Sequence, residues 1–164
     1  MTKEDKEILL RDLCARLPYG VMVKVIDHND ASYAHKGVLY CIENIDSDCN
    51  GTPCLFTVDG VGCAMDITEI KPYLRSLSSM TEKERKELRK MLCWDIAPKD
   101  CPKFEKDFSV LIFYSCNERE EDEYLDMGTM LSYFDYLNSH HFDYRGLIKK
   151  GLALEAPEGM YKSE

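Results

Sequence analysis

Apolar residues in the first 17 positions recur with the period of an α-helix. Thr2 is a typical N-cap residue, and Asp5 stands three residues later, as in a capping box. The apolar positions that follow form one stripe at intervals of three and four, made of Leu9, Leu10, Leu13, Cys14 and Leu17. Pro18 ends the pattern. The sequence therefore predicts an amphipathic N-terminal helix over residues 1–17.

After the helix the hydrophobic period changes to two, which is typical of β-strands. The strand-like runs are Gly20–Ile26, Gly37–Ile42, Cys54–Val58, Val61–Ile67 and a closing run to Leu74. Asp59 and Gly60 form a tight hairpin signal. Short strands in close succession, with no helical period between them, predict a small antiparallel sheet or barrel over residues 18–77.

The last part of the chain mixes helical patterns with one strongly apolar run. Thr81 and Glu84 form a second capping box, and Phe108–Ser115 is apolar on both faces, as in a central strand. Apolar positions from Met127 to Leu137 predict a helix that ends near His140. The predicted fold class is α+β, and residues 78–164 form a helix plus a C-terminal strand–helix unit. The pattern leaves open whether this unit and the preceding sheet share one core.

Charge and hydropathy narrow the classes of partner. The chain has 164 residues, and 30 acidic against 21 basic side chains give a formal net charge of −9. Such a surface repels nucleic acid and anionic lipid, so we expect neither as a partner. No apolar run approaches the roughly 20 residues of a membrane helix, and residues 1–7 do not resemble a secretory signal. We therefore expect a cytoplasmic protein.

The spacing of the eight cysteines argues against a metal site. Zinc ligands usually come in pairs about two to four residues apart, but no Cys-x-x-Cys pair occurs, and Cys49 and Cys54 come nearest to one. Free thiols are the rule in a reducing compartment. We predict free cysteines, no structural metal and no cofactor.

Two long segments resemble known sequences. The C-terminal segment runs from His140 through HHFDYRGLI to GLALEAPEGMY, which ends at Tyr161, and it accompanies the segment Glu69–Thr81. Together they resemble a group of short hypothetical proteins from gut anaerobes and their mobile elements. This resemblance implies membership of that group and assigns no activity or site residue. Residues 18–77 also resemble SH3-like and Tudor-like small barrels, which implies an SH3-like antiparallel barrel between the helices.

An acidic loop provides a candidate calcium site. Asp46, Asp48 and Asn50 precede Gly51 with the alternation of oxygen ligands in the first half of an EF-hand loop. The second half does not match, because Thr57 stands where a bidentate glutamate is required. The alternative interpretation, a polar hairpin turn, is favoured.

The densest polar cluster lies in the C-terminal motif and consists of His140, His141, Asp143 and Arg145. An imidazole beside a carboxylate and a guanidinium could perform acid–base chemistry on an anionic substrate. In the alternative interpretation, the histidines cap a helix C-terminus and the other two residues fix the following turn. No nucleophile or phosphate loop stands beside the cluster in the sequence, so the structural interpretation is favoured.

Four aromatic residues in the barrel-like region are candidates for a binding pocket: Tyr33, Tyr40, Phe56 and Tyr73. Small barrels can bind peptides or methylated lysines over an aromatic surface, and the local acidity suits a basic ligand. Core or rim positions are the alternative. The late helix carries a second aromatic and methionine stripe, which suits either the core or a partner.

The sequence thus predicts a non-catalytic protein-interaction module that binds another protein. The alternative is a small enzyme or ligand-binding protein that uses the cluster of His140, His141, Asp143 and Arg145. A third hypothesis is a homodimer formed through the C-terminal helix or tail.

Overall fold

A computed structural model describes residues 1–26, 39–47, 53–57, 65–91 and 127–161 of the chain. Helix α1 spans Lys3–Arg16 and begins at the predicted capping box. The Asp5 amide donates to Thr2 Oγ1 over 3.1 Å, and the Thr2 amide donates to the Asp5 carboxylate over 3.0 Å. These bonds satisfy donors that the first turn of a helix leaves free, which is why the helix begins here.

The β-strands form one mixed sheet. They are β1 (Met22–Val25), β2 (Leu39–Ser47), β3 (Pro53–Thr57), β4 (Met65–Asp66), β5 (Ile70–Leu74) and β6 (Leu154–Glu155). Their spatial order is β4-β3-β2-β1-β5-β6, and all neighbours are antiparallel except β5 and β6, which are parallel.

The α+β class and the N-terminal helix are confirmed. The described strands show no closure of the SH3-like barrel that the resemblance implied, because β4 and β6 remain at opposite edges of an open sheet. The C-terminal tail supplies β6, which pairs with the edge of β5 that faces away from β1. In a closed barrel, another strand of the barrel would occupy this edge.

The main core lies between α1 and one face of the sheet. Leu9 and Leu13 of α1 are fully buried, as are alternate valines on and beside β1. Leu147, Leu152 and Ala153 from the C-terminal tail belong to the same cluster. The tail and the sheet therefore share one hydrophobic core, which the sequence pattern left open.

The buried stripe of α1 differs from the predicted one. Asp12 and Arg16 are buried beside the leucines, whereas Cys14 is exposed. These polar positions follow Leu9 at intervals of three and seven, so they lie on the face that α1 turns toward the core. Their burial requires polar partners inside the fold, because an unpaired charge is costly there.

A second core joins two further helices, α2 (Glu82–Met91) and α3 (Met127–Ser139). Its buried residues are Met80, Leu88, Tyr133, Tyr136, Leu137 and Phe142. Tyr133 and Tyr136 thus have the core positions that were one interpretation of the late-helix stripe, while Leu131 on the opposite side of α3 is 58% exposed. The predicted strand over residues 108–115 lies outside the described residues. Within the described ranges, no helix has the length and apolarity needed to cross a bilayer.

Candidate functional site

The predicted polar cluster lies in the turn that ends α3. The His141 amide donates to the Asn138 carbonyl over 3.0 Å, and the Phe142 amide donates to the Leu137 carbonyl over 2.9 Å. This pair of bonds is the Schellman helix ending, in which one residue takes a left-handed conformation. His141 has that conformation, with φ of 56°, at a position where glycine is usual. The neighbouring Phe142 packs in the second core with Leu137, which completes the cap.

The end of β5 fixes the turn from the other side. The Arg75 amide donates to the His141 carbonyl over 2.8 Å, and the Asp143 amide donates to the Arg75 carbonyl over 2.7 Å. The Arg75 guanidinium lies 4.3 Å from the centre of the Phe142 ring and forms a bidentate pair with Glu84 of α2. The turn is thereby tied to both the sheet and α2.

His141 is the buried member of the cluster. Its ring is stacked on the Tyr161 ring, with centroids 3.7 Å apart, and the residue is 3% exposed. Burial and the charge of Arg16 lower the pKa of His141 to about 4, although a hydrogen bond with the Tyr19 backbone acts in the opposite direction. The imidazole is therefore neutral at pH 7.

His140 points in a different direction. Its Nδ1 lies 3.0 Å from the Tyr136 carbonyl oxygen, one of the last carbonyls of α3, and 3.1 Å from Ser139 Oγ. Its ring is stacked on Tyr136 with centroids 4.1 Å apart. This arrangement is that of a histidine that caps the end of a helix.

Asp143 and Arg145 also contact separate parts of the fold. The buried Asp143 carboxylate accepts from the amides of Leu147 and Ile148, over 2.8 and 2.9 Å. Arg145 Nε lies 3.3 Å from Asp12 Oδ1, and its guanidinium is 5.0 Å from the centre of the Tyr144 ring. The four side chains of the predicted cluster therefore have four different sets of partners.

The charged pair of α1, Asp12 and Arg16, is part of this region and was not among the predicted site residues. Arg16 Nε and Nη2 donate to the two Asp12 oxygens over 2.7 and 3.0 Å, and Nη2 also donates to the Phe142 carbonyl over 2.8 Å. Both side chains are 0% exposed. Their only sequence signal is the helical spacing that places them on the same side as Leu9 and Leu13.

The structure separates two of the predicted aromatic residues. Tyr40 is paired with the buried Val23 and packs against the main core. Tyr73 follows Pro72, the residue paired with Val23 on the other side, so Tyr73 lies on the opposite face of the sheet. Phe56 lies on β3, and Tyr33 lies outside the described residues.

The candidate calcium ligands are only partly within the structure. Asp46 lies on β2, where it is paired with Cys54 of β3, while Asp48 and Asn50 lie outside the described residues. Among the described residues, no three metal-ligating side chains of the histidine, cysteine or carboxylate type come together.

The sheet face opposite α1, which we name the outer sheet face, is the other candidate surface. Its described residues are Met22, Lys24, Leu39, Cys41, Lys71, Tyr73 and Leu154. All are half-buried except Leu39, which is 41% exposed. The Tyr161 hydroxyl links the backbones of β1 and β5. It accepts from the Met22 amide over 3.0 Å and donates to the Tyr73 carbonyl over 2.9 Å.

Comparisons of the chain with models of protein families, with curated proteins and with solved structures found no match.

Proposed function

We propose that the protein is a non-catalytic protein-interaction module that binds its partner through the outer sheet face. The observation that carries this proposal is a row of apolar side chains on four adjacent strands, made of Cys41, Met22, Tyr73 and Leu154. Leu39 lies in the next row of the same face, opposite Lys24, and is among the most exposed large apolar side chains of the described residues. Contiguous apolar patches rimmed by polar groups are typical of protein-binding surfaces.

The charges on the outer sheet face support a partner with acidic groups. Lys24 of β1 is directly paired with Lys71 of β5. Like charges at directly opposed positions destabilise a sheet, so a carboxylate from a partner would relieve this repulsion. We therefore propose a partner segment that combines apolar side chains with Asp or Glu. This differs from the basic ligand that the overall acidity of the region suggested.

The contacts of His140, His141, Asp143 and Arg145 also support a non-catalytic role. Each of the four side chains is engaged in a cap, a stack or an ion pair of the fold. A catalytic group needs to reach a substrate atom while its protonation state matches the reaction. We further propose a cytoplasmic location, because Cys14 is an exposed free thiol, as is usual in a reducing compartment.

The test is a comparison of two doubly substituted proteins with the same chemical changes. The outer-face variant combines Leu39→Glu with Lys71→Glu. The control combines Leu131→Glu on α3 with Lys83→Glu on α2, and both of these side chains are exposed. Tagged forms are exposed to a nuclease-treated lysate of the source organism, and any retained protein is then purified. Its dissociation constant is measured for all three forms.

We expect the wild type and the control to bind the purified partner equally, and the outer-face variant to bind at least about tenfold more weakly, which corresponds to about 1.4 kcal/mol. Equal binding by the outer-face variant would place the interaction elsewhere. Light scattering at two concentrations tests self-association, and a dimer that the outer-face variant abolishes would make a second copy the partner.

A further inference from the structure

Three buried polar atoms at the meeting point of α1 and the end of α3 have no hydrogen-bond partner among the described residues. They are Arg16 Nη1, Asn138 Oδ1 and His141 Nδ1. Their residues are 0%, 5% and 3% exposed, so bulk solvent does not reach these atoms. A buried polar atom left without a partner is destabilising, and such atoms in folded proteins are usually satisfied by another protein group or an ordered water.

Hydrogen bonds place the Arg16 guanidinium beside the turn that contains Asn138 and His141. The His141 amide is bonded to the Asn138 carbonyl in the helix cap, and Arg16 Nη2 is bonded to the carbonyl of Phe142, the next residue. Arg16 also lies close enough to His141 for its charge to affect the imidazole. We name this place the Arg16 junction, and its members are Arg16, Asn138 and His141.

The atoms of the Arg16 junction define the chemistry of what fits there. Arg16 Nη1 is a donor, and Asn138 Oδ1 is an acceptor. His141 Nδ1 is a second acceptor, because the ring is neutral and its other nitrogen is free to carry the proton toward the Tyr19 backbone. An anion can accept from Arg16 but is repelled by the two acceptors, and a cation is repelled by Arg16.

We propose that the Arg16 junction binds one internal water molecule, which accepts from Arg16 Nη1 and donates to Asn138 Oδ1 and His141 Nδ1. Water has two donor and two acceptor sites, so a single molecule can satisfy all three atoms. Internal waters typically make about three such bonds. The water ties α1 to the cap of α3 and makes the hydrogen-bonded contact between the helices continuous. This inference is independent of the proposed binding surface.

The test is a high-resolution crystal structure of the wild-type protein, together with NMR cross-relaxation between water and the amides of His141 and Phe142. We expect one solvent peak about 2.7–3.2 Å from all three atoms, with the cross-peak sign of a long-lived water. Direct contact among the three side chains, a separate water for each atom, or density larger than one water molecule would overturn the proposal.

Two substitutions at one position sharpen the test. Asn138→Leu removes an acceptor at similar volume, and we expect both the solvent peak and the cross-peaks to be lost. Asn138→Asp keeps an acceptor oxygen, and we expect both signals to remain. Retention of the water in Asn138→Leu would show that Asn138 is not its ligand and would contradict the three-bond arrangement.

Discussion

The Arg16 junction and the outer sheet face place polar and apolar groups in opposite ways. In the junction, polar side chains are buried: Arg16 is bonded to Asp12 and to the Phe142 carbonyl, and His141 is stacked on Tyr161. On the outer sheet face, apolar side chains such as Leu39 and Met22 stay partly exposed beside two lysines. The polar residues that look most like chemistry in the sequence thus contact separate parts of the fold. The half-exposed apolar residues are the stronger candidates for binding.

The largest expected effect is the loss of the buried charge pair. Arg16→Met leaves the buried Asp12 carboxylate with the partly exposed Arg145 as its remaining partner among the described residues. We expect the free energy of unfolding to fall by up to about 3–5 kcal/mol, because the buried carboxylate loses both bonds from Arg16 and keeps the longer ion pair with Arg145. Urea unfolding followed by circular dichroism measures this change.

A double substitution provides the control for Arg16→Met. Asp12→Leu combined with Arg16→Met removes both charges, so we expect it to recover part of the lost stability. If the double variant is less stable than Arg16→Met alone, the buried carboxylate is not the source of the loss.

The next effect is a loss of stability in mild acid. The pKa of His141 is about 4 in the folded protein, whereas an imidazole in an unfolded chain has its ordinary pKa of about 6.5, so the unfolded chain binds more protons between these pH values. Stability is therefore complete above pH 6.5 and falls as the pH is lowered toward 4. Between pH 7 and pH 5 we expect a loss of about 2 kcal/mol, measured by urea unfolding at each pH.

A substitution separates His141 from other titrating groups. His141→Asn removes the titration and tolerates the left-handed backbone, so we expect a flatter pH profile. Glu84 contributes only at lower pH. Burial alone would raise its pKa, but bonds from Arg75 and Thr81 lower it to about 2. An unchanged slope in His141→Asn would show that this imidazole is not the group responsible.

A smaller effect is expected where the two regions meet, at Tyr161. Its ring covers His141 and its hydroxyl bridges β1 and β5. Tyr161→Phe keeps the stack but removes the bridge, so we expect a loss of about 1–2 kcal/mol in the free energy of unfolding. Tyr19→Phe, at an exposed tyrosine, is the matched control and should change stability little. Equal effects of both substitutions would argue against the bridge.

The smallest expected effect is on the outer sheet face. Leu39→Glu places a carboxylate opposite Lys24 at a 41% exposed position, so we expect stability to change by no more than about 0.5 kcal/mol. Thermal and urea unfolding check this value. A loss of several kcal/mol would mean that Leu39 belongs to the core, and the contrast between the two regions would no longer hold.

Local signals predicted several elements correctly. The capping box at Thr2 begins α1, as predicted. At the start of α2, the Glu84 amide donates to Thr81 Oγ1 over 3.3 Å, as the predicted capping box at Thr81 requires. The periodic apolar residues before His140 predicted α3, which ends at Ser139. For the candidate site, the sequence identified the polar cluster and its capping interpretation. It missed Asp12, Arg16 and Asn138, because charged and amide residues in helices are usually exposed.

The sequence by itself determined the features that depend on neighbours a few residues apart, namely the helix caps, the helical and strand periods and the Asp143 turn. The tertiary structure decided which faces are covered and which strands pair. β6 lies beside β5, although the two strands are distant in the sequence. Arg16 donates to the Phe142 carbonyl across 126 positions of sequence. Such contacts depend on the packing of the whole chain, because local periodicity specifies a face but not the partner that buries it.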